Sequence, residues 1–224
     1  MNKRLLLKRA LEISALRPSP DLTIEQYLMT PESMVDQVLK LRPSFEGKKV
    51  FFLGDDDHMS VILAEALNVS PVIAEIDERI QASLKILHKN TSDFKVFKYD
   101  ARNTISEQVS ADAFYINPPY SSKNKGKGAK VWIHRASKTV KIGSTSVLVY
   151  PIDEDLSWTV ECLAEISSFA IKCGLVVTNI QRDIHTYGYL PKDPGLLSSN
   201  IYLYKFADTD FELEEDIEGG KLYR

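Results

Sequence analysis

The stretch KKVFFLGDDDHMSVILAEALNVSPVIAEID, residues 48–77, decides the fold. It opens on an unbroken apolar run, VFFL, of a length suited to a strand buried on both faces. Gly54 breaks that run, three aspartates and a histidine follow, and MSVILAEALN reads as a helix. PVIAEID is then a second β-rich run. Strand, glycine turn, helix, strand is a βαβ unit, which calls for a parallel sheet with helices on its faces.

The alternation continues outward from this unit. ERIQASLKILHKN (78–90) reads as a helix, FKVFKYD (94–100) as a strand, residues 105–109 as a short helix and DAFYINPP (112–119) as a strand. A helix is expected over about 130–141, a strand in STSVLVYPID (144–153) and a long helix in EDLSWTVECLAEISSFAIKCG (154–174). LVVTNIQRD (175–183) and NIYLYKF (200–206) close the series. The segment between them, 184–199, has no helical periodicity to serve as a parallel crossover, so the last two strands should run antiparallel. Upstream, residues 1–16 and 31–42 read as helices, the second with Thr30 as N-cap and Pro31 at its first position. The expected architecture is α/β: a Rossmann-like, doubly wound, seven-stranded mixed sheet with a terminal antiparallel hairpin. It divides into an N-terminal helical extension (1–22), one catalytic domain (23–210) and an acidic tail (211–224).

Composition narrows the class without naming a reaction. At 224 residues the chain suits one full domain. Apolar residues make up 44% and charged residues 26%, which disfavours both disorder and a membrane protein. Lys8 and Arg9 interrupt the leucines near the N-terminus before a signal core or a membrane span can form. Cys162 and Cys173 lack metal-ligand spacing and fit buried thiols in a reducing, cytoplasmic compartment. A net charge of −3 argues against nucleic-acid binding by bulk charge. Lys123, Lys125, Lys127 and Lys130 nevertheless cluster after the fourth strand, where a phosphate could meet them.

Ligands of open α/β sheets collect at the carboxyl ends of the strands. Strand one ends in Gly54-Asp55-Asp56-Asp57, where glycine permits a tight turn and the acids suit a sulfonium or an ammonium rather than a pyrophosphate. Strand two ends in Glu75, about twenty residues past Gly54, the spacing at which an acid accepts the hydroxyls of a ribose. Asp77 better suits the start of the next helix. Strand three ends in Asp100-Ala101, placed for an adenine amino group and ring. Strand four ends in Asn117-Pro118-Pro119-Tyr120, the most specific feature of the chain. Two prolines withhold amide donors and leave carbonyls as acceptors, the Asn oxygen can take an amine hydrogen, and Tyr120 offers a stacking face.

In order and wording these segments resemble the class I methyltransferases that act on amino nitrogens, whose fourth motif is D/N-P-P-Y/F/W. The resemblance covers about residues 23–150. It implies S-adenosyl-L-methionine (AdoMet) as cofactor, with Gln26, Tyr27, Thr30 and Pro31 enclosing it in place of a Q-Y-x-T-P segment. It also sets Gly54 and Asp56 in the first motif, Glu75 in the second, Asp100 in the third and Asn117 to Tyr120 in the fourth. YLMTPESMVDQVLKL (27–41), EGKKVFFLGDDDHMSVILAEAL (46–67) and AEIDERI (74–80) are also similar to the catalytic domain of branched-chain polyamine synthases, which share a G-D-D-D loop and an I-D-E-R run. That resemblance implies aminopropyl transfer from decarboxylated AdoMet to a polyamine. This chain departs from it where N-P-P-Y and the lysines follow, because those lysines would repel a polycation.

The leading expectation is methyl transfer to an exocyclic amino group, adenine N6 in DNA or RNA. In it Asn117 and the Pro118 carbonyl hold the amine, Tyr120 stacks on the base, and Lys123, Lys125 and Lys127 touch phosphate. Target choice would then fall to the loop after Tyr120, to residues 184–199 or to a partner chain. Aminopropyl transfer to a polyamine is the alternative, and a catalytically silent partner subunit that keeps the sheet is a third.

Overall fold

The computed structural model describes residues 1–91, 93–105, 109–120, 123–188, 195–214 and 222. At its centre is a seven-stranded sheet in the order β3-β2-β1-β4-β5-β7-β6. The strands are β1 Lys49–Leu53, β2 Ser70–Glu75, β3 Lys95–Lys98, β4 Ala113–Ile116, β5 Thr145–Pro151, β6 Leu175–His185 and β7 Ser198–Lys205. β1 to β5 pair in parallel, and β7 runs antiparallel to both β5 and β6. The mixed sheet with its terminal hairpin is the Rossmann-like arrangement expected from the sequence. Strand order reverses between β1 and β4, which places the crevice of the fold at the carboxyl ends of those two neighbours.

Period-two alternation builds the layers. Val50 and Phe52 of β1 join one core with helices α1 Lys3–Leu16, α2 Pro31–Phe45, α3 Met59–Leu67 and α4 Glu78–Leu87. Phe51 and Leu53 join the opposite core with α5 Lys127–Ser137 and α6 Ser157–Lys172. All four side chains are buried, as a continuous apolar run between two helical layers requires. α1 buries Leu6, Ala10 and Ile13 in the same core as α2 and α3, so this helix is built into the domain. α2 begins as the sequence indicates: the Thr30 hydroxyl accepts from the Ser33 amide and Pro31 holds the first helical position.

Three expectations require comment. The helix expected over 130–141 starts earlier, at Lys127, and ends at Ser137. Asn124 accounts for the early start: its side chain accepts from the Gly126 amide and its carbonyl from Lys127, while Gly126 takes φ 74°. Val140 leaves the helix because it bridges to Ala111 beside the sheet. The short helix over 105–109 includes residues outside the described set. So does the acidic tail beyond Glu214, although Phe211 and Leu213 still pack on the core.

Between α2 and the sheet lies a buried polar pair. Gln37 Nε2 donates to Asn200 Oδ1 at 2.8 Å, Asn200 Nδ2 returns a bond to Gln37 Oε1 at 2.7 Å, and Gln37 also donates to the Tyr115 hydroxyl. Both amides are fully buried, so each depends on the other for satisfaction. Asn200→Leu should cost about 1 to 3 kcal/mol, the penalty for leaving buried polar groups unpaired, read as a lower urea midpoint at unchanged slope.

Candidate functional site

Glu75 closes the end of β2 onto the end of β1. One carboxylate oxygen accepts from the Asp55 amide at 2.9 Å and the other from the Asp77 amide at 2.8 Å. Each oxygen keeps a lone pair that can accept a ligand hydroxyl. Gly54 makes the turn at φ 72°, a conformation glycine takes without the Cβ penalty, and its amide bonds Ala74 across the strands. Asp77 caps α4 through the Arg79 amide and receives Gln26 Nε2 at 3.2 Å, which ties the segment before α2 to this corner.

The three aspartates of the β1 turn do different work. Asp55 is buried and accepts from the Ser60 amide at the start of α3. Asp57 is buried and accepts from the Met29 amide at 2.6 Å, from Arg17 at 3.3 Å and from Asn117 Nδ2 at 3.4 Å. Asp56, half-buried, lies between them and faces open space.

That space consists of two adjoining clefts. The larger, about 510 Å³, has Gln26, Gly54, Glu75, Tyr99, Ala101 and Trp132 in its wall. Trp132 is held there by its indole N–H donating to the Leu53 carbonyl at 3.1 Å. The smaller, about 250 Å³, is walled by Tyr27, Pro118, Tyr120 and Tyr187. Glu25, Asp56, Asn117 and Pro119 belong to both, so they form the boundary between the clefts. Flat apolar walls beside a hydroxyl-accepting carboxylate fit a nucleoside in the first. The second fits a smaller group approached by tyrosines.

The structure thus gathers Tyr27, Gly54, Asp56, Glu75, Ala101 and Asn117 to Tyr120 around one crevice. It does not bring the other singled-out residues into the wall. Thr30 and Pro31 start α2, where Thr30 bonds Ser33 and Thr186. Asp100 is held by Arg102, whose side chain and amide take its oxygens. Lys123 and Lys125 are exposed on the turn before α5, Lys127 opens that helix, and Lys130 is paired with Glu165 at 2.6 Å. Sequence reading missed Glu25, Arg17, Trp132 and Tyr187. Glu25 carries one local signal, a left-handed φ of 57° in a residue other than glycine. The others reach the site through tertiary contacts that no motif announces.

Electrostatics set this crevice apart. Burial pushes the carboxyl groups of Asp55, Asp56 and Glu75 above their ordinary range, and neighbouring acids add to the rise. Burial lifts Asp57 to about 6 even though Arg17 opposes the shift. No Lys, Arg or His among the described residues lines either cleft. A cationic ligand would relieve this crowding, whereas an anionic one would aggravate it.

A family model, the branched-chain polyamine synthase A C-terminal domain, matches residues 5–194. The chain belongs to that family. N(4)-bis(aminopropyl)spermidine synthase of Thermococcus kodakarensis is 28% identical over 193 residues, 81% of this chain and 52% of its own. The branched-chain polyamine synthase of Thermus thermophilus, solved with N4-aminopropylspermidine and 5'-methylthioadenosine, superposes with a TM-score of 0.80 at 20% identity, over 98% of this chain and 68% of that one. A putative RNA methyltransferase of Pyrococcus horikoshii shares the fold at a TM-score of 0.69 and 20% identity, covering 92% and 98%. The chain spans 37% to 52% of the length of the curated relatives it matches.

In this family member the N-P-P-Y segment is braced from behind by α5. A Cβ on Gly128 would lie 2.5 Å from the Pro119 carbonyl oxygen and 3.2 Å from its ring. Backbone cannot yield as a flexible side chain does, so Gly128→Ala should displace the segment. Displacing reacting groups by about 1 Å can cost on the order of a hundredfold in rate. The expected result is lost turnover with circular dichroism close to that of the parent chain.

Proposed function

We propose that this domain transfers an aminopropyl group from decarboxylated AdoMet to an amine nitrogen of a polyamine. The observation that carries the reading is the acidity of the two clefts, where Glu25, Asp56 and Glu75 sit in the walls and Asp55 and Asp57 stand directly behind. Arg17, bound to Asp57, offsets one of these charges. AdoMet carries a carboxylate that would meet this wall, whereas its decarboxylated form bears a sulfonium and an ammonium. At an effective dielectric constant near 20, one unit charge about 5 Å from another is worth roughly 3 kcal/mol, enough to decide between the two donors. Membership of the polyamine synthase family and the ligands of the Thermus enzyme support the same choice.

Glu75 would hold the ribose hydroxyls of the donor, and Tyr99, Ala101 and Trp132 would bound its base. Bound there, such a donor supplies an electrophilic carbon on sulfur, which leaves with the electron pair as nitrogen bonds to that carbon. The protein's task is to present a neutral amine nitrogen at the boundary of the clefts. Asn117 Oδ1, which has no protein donor among the described residues, and the Pro118 carbonyl accept from that nitrogen. Asp56, its affinity for a proton raised by burial and by its neighbours, accepts the proton that an ammonium must lose before its nitrogen can attack. Tyr27, Tyr120 and Tyr187 enclose the acceptor cation with ring faces and hydroxyls.

A second reading, methyl transfer to an exocyclic amino group of a nucleic acid, rests on the neutral Asn117 and on half-buried Tyr120 beside it. The two readings separate by calorimetry. The domain should bind decarboxylated AdoMet more tightly than AdoMet, and Glu75→Ala should weaken that binding by about 1.5 to 3 kcal/mol. With spermidine present, mass spectrometry should find aminopropylated product, lost in Asp56→Asn. Preference for AdoMet, with methyl transfer to DNA or RNA and none of the aminopropyl group, would establish the second reading instead.

A pH dependence follows from the raised carboxyl pKa values. Their ionised forms attract the cationic ligand and their protonated forms do not, so binding releases protons. Affinity for spermidine should rise with pH through the region around 6 set by Asp57 and weaken below it. Calorimetry in buffers of different ionisation enthalpy checks the proton release.

A further inference from the structure

We infer that Arg17 and Asp57 are positioning residues that fix the side-chain amide of Asn117 with its oxygen toward the acceptor cleft. The inference rests on the proposed role of Asn117 as acceptor of the amine hydrogen, and it holds for either donor. An asparagine amide has two ends of opposite character, and turning it over would aim two N–H donors at an incoming amine. Something must choose the end.

An ionised carboxylate can only accept, so a carboxylate against Asn117 selects the nitrogen end for itself. Asp57 is that group. Its Oδ2 lies 3.4 Å from Asn117 Nδ2. Its Oδ1 is already committed to the Met29 amide at 2.6 Å and to Arg17 at 3.3 Å. Arg17 is held in turn by its second nitrogen on the Met29 carbonyl at 3.0 Å. Arg17 and Asn117 therefore both donate into Asp57, which accepts on each side. Side-chain exposure is 6% for Arg17 and 4% for Asp57. Breaking even on stability is the usual lot of so buried a pair, which makes orientation the better account of its place here.

Protonation would reverse the polarity. A protonated Asp57 can donate from Oδ2, and the amide would then turn its oxygen inward and its nitrogen toward the cleft. Burial brings that event to about 6, against the pull of Arg17. Asp55 and Asp56 on the same loop, Tyr115 on β4, and Tyr120 and Tyr187 across the cleft also share an electrostatic field with Asp57.

Nuclear magnetic resonance tests the orientation without substrate. The Asn117 Nδ2 protons should shift with a midpoint near 6 in the parent chain, the shift should vanish in Asp57→Asn, and the midpoint should rise in Arg17→Met, which removes the opposing cation. Turnover supplies the second readout. Asp57→Asn should lose about a hundredfold in kcat, as expected for a misdirected contact, a loss larger than its effect on donor affinity. Arg17→Lys should restore most of the rate that Arg17→Met loses. An Asn117 amide that titrates unchanged in Asp57→Asn overturns the inference. So does an Asp57→Asn variant that folds, binds donor and keeps full kcat. A titrating amide in a parent chain inactive with both donors would leave the positioning intact and sink the proposed function alone.

Discussion

The Glu75 carboxylate is the contact on which the crevice depends. It takes one amide from the turn after β1 and one from the turn after β2. Without it the Gly54 turn has the Ala74 bond but no partner for the Asp55 amide, and the aspartate loop loses its anchor. Two amides also explain how a buried carboxylate persists in an acidic neighbourhood, since bonds to the charged form oppose the desolvation that would neutralise it. The same oxygens keep lone pairs for a ligand, so the structural clamp and the candidate ribose contact are one group.

Around that clamp the protein concentrates negative charge where it is least favoured. Asp55 is tied to the Ser60 amide of α3, Asp57 to Arg17, and Asp56 is left facing the boundary between the clefts. Such a cluster is poor architecture for stability alone, because like charges in a partly desolvated space raise one another's proton affinity. It becomes reasonable if a cation completes the site. A ligand with two or more positive charges would then supply what the folded chain lacks.

The sheet was legible because its signals are local. VFFL and VIAE are continuous apolar runs with a turn glycine or an acid at their ends, and the lack of periodicity in 184–199 was enough to make the last pair antiparallel. Glu75 was legible for a related reason, since strand-end position places a side chain almost regardless of what surrounds it. Asp100 shows the limit of that rule. It stands two residues beyond the end of β3, and Arg102 two residues further on captures both of its oxygens, a competition that sequence position does not reveal. The start of α5 escaped because a lysine and glycine run reads as a loop until Asn124 is seen holding the turn that leads into it. Arg17, Glu25 and Tyr187 come from segments without a motif and reach the crevice only once the core has closed.

The relation between this fold and two chemistries becomes clearer at the boundary residues. In either proposed reaction an N-P-P-Y segment would present a nitrogen in much the same way, because both need a lone pair aimed at a carbon on sulfur. The neutral Asn117 therefore carries little information about the donor. On the proposed function the donor's charge would be read elsewhere, by walls that include Glu25 and Asp56. Lys123 and Lys125 stand on an exposed turn outside both clefts, where solvent and salt screen their repulsion of a polycation. The acids inside are screened far less, so on the proposed function the interior charge rather than the surface lysines would favour the ligand.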